Sequence, residues 1–331
     1  MSGTKQTKVT VIIPLPDHRG IAPEVADRWV NHVQFDQKSF EIIFISDGKN
    51  TTLDKRIIDS LRPIDKFIVE PKANLLELAN VGVRNASSEL VFITESHCIP
   101  YHDCLTELCN YFATHDVALA CCKSDGINKT VLAEMEQRIF DEDFERRSKE
   151  DSWNKITVRG FGILRSVFLK ENGFLSQFEH FAEPALGAHL HFKGYKMGFA
   201  DKVMVSHFNN PSLKYLIPGL KSYGKSMAMY FAEGNKEYAS KYFKADLTRY
   251  RKVYHLRKVE IITHYWRLHQ ELERTKKLIE KGSLSKMDLY QKYQSLWACC
   301  IHLGECLHII KTRVRRWMGM RVSLTNQKQK G

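Results

Sequence analysis

The sequence predicts an α/β protein in which a mostly parallel sheet is flanked by helices and followed by an α-helical C-terminal extension. In the first part of the chain, short β-branched runs alternate with polar segments of helical periodicity, the order typical of β-α-β units. The runs are apolar at nearly every position, as in strands that helices cover on both faces. Beyond residue 210 the helical pattern is almost continuous. We therefore expect a domain at residues 1–210 and a basic helical extension at residues 211–331.

Seven apolar runs are the candidate strands, at residues 9–13, 41–46, 66–70, 90–94, 117–122, 159–164 and 204–208. Helical periodicity predicts helices at residues 22–33, 75–85 and 184–192. In the extension, helix breaks are expected at residues 218–219, 234–235 and 282–283. Ligands of open parallel sheets bind at the carboxyl ends of the strands, and we expect the site there.

Two common nucleotide-binding motifs are missing after the first strand. Neither G-x-G-x-x-G nor G-x-x-x-x-G-K-[ST] follows residue 13, which disfavours a dinucleotide-binding fold and a P-loop. A nucleotidyltransferase would carry a glycine- and arginine-rich loop with a lysine at this place. Residues 14–20 match such a loop poorly, and the nucleotidyltransferase stays open as an alternative.

The net charge of +12 arises at the end of the chain. Residues 1–210 contain 25 Lys and Arg against 29 Asp and Glu, whereas residues 211–331 contain 25 against 9. The basic residues of the extension alternate with apolar and aromatic ones, which indicates either a solvated face or a face for a membrane surface rich in acidic lipid. No nucleic-acid-binding motif accompanies the charge, and we expect no nucleic acid partner.

Cysteine spacing and hydropathy predict a cytoplasmic protein, peripheral to the inner face of a membrane if the extension binds lipid. The eight cysteines form no C-x-x-C pair and no disulfide-like spacing, which favours a reducing compartment. No apolar signal region follows the N-terminus, and no run reaches the roughly 18 apolar residues of a spanning helix. The mostly apolar segment 296–310 predicts either a buried helix or an interfacial one.

Seven motifs succeed one another along residues 9–208, in the order VTVIIP, EIIFISDG, EPKANLLELANVGVRNA, LVFITESHCIPYHDCL, ENGF, AEPALGAHLHFKGY and VMVSHF. In this order they resemble the inverting glycosyltransferase family 2, whose members have the GT-A fold. The resemblance implies a nucleotide-diphosphate sugar as donor and a glycan, lipid-linked or small-molecule acceptor. The sequence lacks the Q-x-x-R-W box of the polymerising members, which favours transfer of a single sugar.

The resemblance implies a divalent metal site at the end of the fourth strand. Family members usually carry D-x-D there, and Glu95 and His97 stand in its place. Side chains two residues apart on an extended segment point the same way, so both can reach one ion. His207 is the implied third ligand, and this set favours Mn²⁺ over Mg²⁺. Two alternatives stay open: Glu95 and His97 only hydrogen-bond nearby loops, or Asp103 supports the site.

The resemblance also implies the residues that bind the nucleotide sugar. Pro14 and Leu15 would border the base, and Asp47 would accept a hydrogen bond from the base or the ribose, although Asp-Gly is also a common turn. Arg159 would lie against the sugar or the diphosphate, since arginine pairs with phosphate. The residues implied to line the nucleotide pocket from the following helix are Asn80, Gly82 and Arg84.

Inverting transfer needs one general base, which deprotonates the acceptor hydroxyl. The resemblance implies Glu183 for this role, and Ala182 stands where the family has a preceding acid. Pro184 suits the first position of a helix, which would make Glu183 the N-cap and lower its pKa. A purely structural cap is the alternative, with Glu179 and His180 as reserve bases. The missing acids also leave open a degenerate member that binds nucleotide sugar or a partner without turnover.

Overall fold

The computed structural model describes residues 8–16 and 19–317. The chain divides into two compact units, Met1–Ser212 and Leu213–Gly331. The first unit contains a sheet with its helices, and the described part of the second contains helices. The division falls two residues after the boundary expected at residue 210.

The sheet of the first unit contains eight described strands: β1 Val9–Leu15, β2 Phe40–Ser46, β3 Lys66–Val69, β4 Leu90–Ile93, β5 Cys98–Pro100, β6 Leu119–Ile127, β7 Phe161–Leu164 and β8 Met197–Phe208. Their order across the sheet is β3-β2-β1-β4-β7-β6-β8-β5. Strand β1 pairs in parallel with β2 and β4, and the pairs β2–β3 and β6–β8 are also parallel. Strand β7 is antiparallel to β4 and β6, and β5 is antiparallel to β8. The predicted α/β fold is confirmed, as a mixed sheet.

The helices of the first unit are α1 Ala22–Asp27, α2 Thr51–Ile58, α3 Leu75–Asn85, α4 Cys104–Thr114, α5 Val131–Ser148, α6 Arg165–Lys170 and α7 Ala182–Phe192. All seven residues of β1 and of β2 are buried, as expected for strands covered on both faces. Side chains at the helix starts satisfy backbone groups, because Asn50, Asn74 and Thr130 cap α2, α3 and α5.

Three local expectations differ from the structure. The helix predicted at 22–33 ends as α1 at Asp27 and continues as a π-helical turn, Arg28–His32. Strand β5 was not predicted, because three residues are too short to show a period of two. Helix α7 begins at Ala182, so that Glu183 lies inside the first turn and Phe181 is the N-cap. A 3-10 helix, Ser176–Phe181, runs directly into α7 and replaces the cap that was expected.

The second unit contains the described helices α8 Leu213–Glu233, α9 Lys236–Tyr242, α10 Lys244–His255, α11 Lys258–Glu280 and α12 Lys286–Trp317. The breaks expected at 234–235 and 282–283 are present, whereas Pro218 lies inside α8 and does not end it. The apolar segment 296–310 lies in α12, and its residues Leu296, Cys300 and Leu303 are buried. This burial favours the packed helix over the interfacial one for that segment.

No described helix has both the length and the apolar character that are needed to cross a bilayer. All eight cysteines are free thiols, and seven of them are buried.

Helices α8 and α12 approach each other at two glycines. A Cβ added to Gly224 would lie 1.9 Å from the Ile301 carbonyl oxygen, and one added to Gly304 would lie 1.9 Å from the Lys221 carbonyl oxygen. No side chain fits at either position unless the helices move apart. The two glycines therefore fix the spacing of this helix pair.

We expect Gly224→Ala to lower the free energy of unfolding by about 1–3 kcal/mol or more, because the added methyl group overpacks a backbone contact. Chemical denaturation followed by circular dichroism measures the change. The matched control is Gly219→Ala in the same helix, where an added Cβ meets no atom within 4 Å. That control should be neutral or stabilising by up to about 1 kcal/mol, because alanine is the better helix former. Equal stabilities of the two variants would contradict the close approach.

Candidate active site

A cavity of about 320 Å³ opens where the carboxyl ends of β1 and β2 meet the start of α3. Asp47 contributes a carboxylate that is almost fully buried, and Lys49 extends an exposed ammonium group beside it. Other cavity-lining residues are Pro14, Pro16, Arg19, Ala73, Asn74, Leu75, Leu76, Glu95, Ser96, His97, Glu179 and His180. The cavity thus lies at the edge of the sheet where a ligand was expected.

The short strand β5 brings two distant segments together at the floor of this region. Cys98 pairs with His207 in the antiparallel register, and the Phe208 N–H donates to the His97 carbonyl oxygen at 2.9 Å. As a result, His97 Nε2 lies 3.1 Å from His207 Nε2. Glu95 Oε2 lies 3.4 Å from the first nitrogen and 3.3 Å from the second. The three predicted ligands are therefore adjacent.

The tautomer of His207 follows from its neighbours. Its Nδ1 lies 2.7 Å from Asn209 Oδ1, and the same oxygen accepts from Arg159 Nη2 at 3.0 Å. A guanidinium can only donate, so it fixes the oxygen of the Asn209 amide toward itself and His207. His207 Nδ1 must then carry the proton, and Nε2 presents a bare lone pair. Burial, with the nearby Arg159 charge, holds the pKa of His207 well below its ordinary value, which keeps the ring neutral.

The donor set suits a divalent cation. Burial acts to raise the pKa of Glu95, but the neighbouring His97 outweighs it and holds the pKa well below its ordinary value, so the group is a carboxylate. One ligand atom from each of Glu95, His97 and His207 lies within 4.8 Å of the others. Buried His97 Nδ1 has no hydrogen-bond partner in the described chain, and Nε2 lies 3.1 Å from the bare His207 Nε2 and 3.4 Å from Glu95, so without an ion Nε2 carries the proton that a bound cation would replace. Two imidazole nitrogens and a carboxylate oxygen could therefore hold a transition-metal ion.

Glu183 lies in the first turn of α7 and accepts a hydrogen bond from the Val158 backbone N–H. Burial raises its pKa to about 7, repulsion from Glu95 adds to the shift, and Arg147 opposes it. The lowered pKa expected from an N-cap position is therefore wrong, because burial outweighs the dipole of the helix. A carboxyl group with a pKa near neutrality can exchange a proton at physiological pH.

Glu179 and His180 lie in the wall of the cavity. Glu179 adopts φ 45° and ψ −130°, which interrupts the 3-10 helix and lies in a region that side chains other than glycine rarely occupy. Backbone strain of this kind concentrates at ligand-binding and catalytic sites. Glu183 is not among the residues that line the cavity.

Several residues expected to bind the nucleotide lie elsewhere. Leu15 is in the core, and Gly82 packs against Ile12 and Ile45. The Asn80 amide exchanges hydrogen bonds with the Phe174 backbone, and Arg84 forms an exposed ion pair with Glu77. Asn80, Gly82 and Arg84 all lie beyond the first turn of α3, and only the start of this helix borders the cavity. Asn74, Leu75 and Leu76 occupy that place.

Arg159 is buried behind the three-ligand cluster and does not line the cavity. Its guanidinium donates to Gln137 and Asn209 and stacks on Phe140 at 3.8 Å from the ring centre. The expected contact with sugar or diphosphate stays a prediction, and in this structure Arg159 lies outside the cavity wall. Asp103, offered as a supporting group, precedes α4, and Asn209 is the side chain that supports His207. The sequence could have indicated Asn209 by its spacing. It follows His207 by two residues, and side chains two residues apart on an extended segment point the same way.

This sheet, with a carboxylate–imidazole cluster at its strand ends, is that of a GT-A glycosyltransferase. Residues 10–173 match the family described as Glycosyl transferase family 2, and the chain belongs to that family. No curated protein matches the chain significantly.

Two solved glycosyltransferase structures are similar to the chain. Mannosyltransferase PcManGT from Pyrobaculum calidifontis, in complex with GDP-Man and Mn²⁺, has a TM-score of 0.56 at 16% identity, over 96% of this chain and 88% of that one. TarS 1-349 from S. aureus, in complex with UDP-GlcNAc, has a TM-score of 0.52 at 13% identity, over 94% and 92%. At these identities the likeness shows the GT-A fold alone.

We expect Asn209→Leu to weaken Mn²⁺ binding about 10- to 100-fold, because His207 would lose the acceptor that fixes its tautomer. Isothermal titration calorimetry with MnCl₂ alone measures the affinity. Glu95→Ala, which removes the carboxylate, should abolish binding in the same assay.

The matched control for this test is Asn128→Ala. The Asn128 side chain accepts from Asn209 Nδ2, on the side of the amide away from His207. We expect its Mn²⁺ affinity to stay close to that of the unaltered protein. An equal loss in both asparagine variants would show that the network acts only through folding.

Proposed function

We propose that the protein is an inverting glycosyltransferase that moves a single sugar from a nucleotide-diphosphate sugar to an acceptor hydroxyl, with the assistance of a divalent metal. The observation that carries the proposal is the adjacency of Glu95, His97 and His207, the first two of which line the strand-end cavity. Membership of glycosyl transferase family 2 supports transfer of a sugar and gives no support to the nucleotidyltransferase alternative.

The donor would bind in the cavity at the ends of β1 and β2. Pro14 offers an apolar edge to the base, and the Asp47 carboxylate can accept hydrogen bonds from the base or the ribose. Lys49, with an exposed side chain, can reach a phosphate. The nucleotide sugars in the PcManGT and TarS complexes, GDP-Man and UDP-GlcNAc, support a donor of this class.

The metal would be held by Glu95 Oε2 and by Nε2 of His97 and of His207. A divalent ion bound there supplies Lewis-acid stabilisation of the charge that develops on the leaving diphosphate. The two imidazole ligands favour Mn²⁺ over Mg²⁺, and the Mn²⁺ of the PcManGT complex supports this choice. Asn209 and Arg159 keep the His207 lone pair directed at the ion.

Glu183 would be the general base. Inversion requires one proton acceptor for the attacking hydroxyl and forms no covalent enzyme intermediate. Glu183 takes up the proton on its carboxylate as the acceptor oxygen attacks the anomeric carbon from the side opposite the diphosphate. The chain position of Glu183 supports the proposal, because the first turn of α7 directly follows the segment that contributes Glu179 and His180 to the cavity wall.

The reaction would take place in the cytoplasm. Eight free thiols, most of them buried, support a reducing compartment. The acceptor would be a glycan, a lipid-linked molecule or a small molecule, because the hydroxyl group is the one feature that the mechanism requires of it.

We expect Glu183→Gln to lower kcat by about 10²- to 10⁴-fold while donor binding stays unchanged, because the amide cannot accept the acceptor proton. Donor affinity is measured by calorimetry with Mn²⁺ and a panel of nucleotide sugars, and transfer by release of nucleoside diphosphate in the presence of acceptor. Glu179→Gln is the matched control, since Glu179 lines the cavity and is the reserve base.

A larger loss of kcat in Glu179→Gln than in Glu183→Gln would assign the base to Glu179. If the unaltered protein binds a donor and releases no nucleoside diphosphate with any acceptor, the protein is instead a degenerate family member.

The transfer rate should depend on pH through Glu183. The base works only when ionised, and its pKa is raised to about 7, so kcat/KM should rise about tenfold per pH unit below that value and level off above it. A cation beside Glu95 cancels part of the repulsion and moves the midpoint somewhat lower. Initial rates across buffers of constant ionic strength give the profile. A rate that falls as the pH rises toward 7 would contradict the assignment.

A further inference from the structure

One face of α11 exposes large apolar side chains to solvent. Val259 is 75% exposed, Ile262 47% and Trp266 55%. Their spacing of three and then four residues places them on the same side of the helix. Soluble monomers rarely leave a contiguous row of this kind uncovered without a function.

The same face continues across a groove onto the C-terminal part of α12. The groove has a volume of about 250 Å³ and is lined by Ile261, Ile262, Ile310 and Val314, with Lys258 and Arg313 at its sides. Val314 is itself 45% exposed. Four of the ten exposed large apolar side chains of the described chain therefore lie along one surface of the second unit.

This surface is bordered by positive charge. Arg257, Lys258, Lys311 and Arg315 are exposed next to the apolar side chains. Residues 257–267 and 311–317 contain one acidic residue, Glu260, and Arg257 forms an ion pair with it. The Arg313 guanidinium donates to the Leu256 carbonyl oxygen, which holds it at the groove. Apolar area with a cationic border is complementary to an acidic bilayer surface and is unsuited to a basic or neutral one.

We propose that this face, formed by Val259, Ile262, Trp266 and Val314 with Lys258 and Arg313, docks the protein on the surface of a bilayer that contains anionic lipid. Tryptophan favours the boundary between headgroups and acyl chains, because its ring is apolar and its N–H donates. The valine and isoleucine side chains enter the same boundary while the cations pair with lipid phosphates. The contact is peripheral and reversible.

The experiment is flotation of the full-length protein with vesicles, without donor or metal, so that its outcome does not depend on the proposed transfer reaction. One set of vesicles is pure phosphatidylcholine, and the other contains phosphatidylcholine and phosphatidylglycerol. We expect binding to the mixed vesicles that weakens as salt is added, and little binding to the neutral ones.

The variant Val259→Ser/Trp266→Ala should bind the mixed vesicles at least about tenfold more weakly, because two inserted side chains are lost. Lys258→Gln/Arg315→Gln should weaken binding to the mixed vesicles and leave binding to neutral ones unchanged. Met287→Ser is the matched control, since Met287 is 57% exposed at the other end of α12. All these side chains are exposed, and circular dichroism verifies that the variants fold.

The proposal is overturned if the unaltered protein does not bind the mixed vesicles, or if Val259→Ser/Trp266→Ala binds them as well as Met287→Ser does. Sedimentation velocity tests whether a second copy of the chain occupies the face instead. A dimer that Val259→Ser/Trp266→Ala abolishes, together with no vesicle binding, would assign the face to a second copy of the chain.

Discussion

The pairing of β5 with β8 is the contact on which the candidate site depends. Strand β5 has three residues, yet its register sets Cys98 opposite His207 and so joins segments that lie more than a hundred residues apart. Without this strand pair, Glu95 and His97 after β4 would be the only two ligands of the cluster, and two ligands bind an ion more weakly than three. The antiparallel direction matters as well. It places the start of β5, which directly follows His97, beside the end of β8, which carries His207.

The proposed metal ligand Glu95 and the proposed base Glu183 have opposite electrostatic environments. His97 favours the charged form of Glu95, whereas desolvation of the partly buried Glu183 raises its pKa to about 7, with repulsion from Glu95 adding to the shift. Paired acids whose pKa values are driven apart in this way can divide the work of charge binding and proton transfer between them. The arrangement also links the two roles, because any cation that neutralises Glu95 makes Glu183 a weaker base.

The sequence predicts those parts of the structure that follow from local periodicity. The seven apolar runs correspond to seven of the eight strands, and the order of motifs identifies the family and the three-ligand cluster. Residues of α3 beyond its first turn do not line the cavity, which the motif could not show, because a motif predicts the helix but not the turn of it that reaches the cavity. The sequence did not indicate that Arg159 contacts Gln137 and Asn209, because these partners come from α5 and from just after β8, and sequence spacing gives no sign of such a contact.

The reciprocal glycine contact between α8 and α12 also fixes the register of these two helices along each other. Sliding one helix by a turn, about 5.4 Å, would move Gly224 and Gly304 away from the carbonyl groups that they face and bring residues with side chains into their places. The pair therefore has one permitted alignment at this spacing. Because α12 also carries Ile310 and Val314, the same two glycines set where these side chains lie along the axis of α8. A pair of residues with no side chains thus positions the whole of α12, including its last turns, relative to α8.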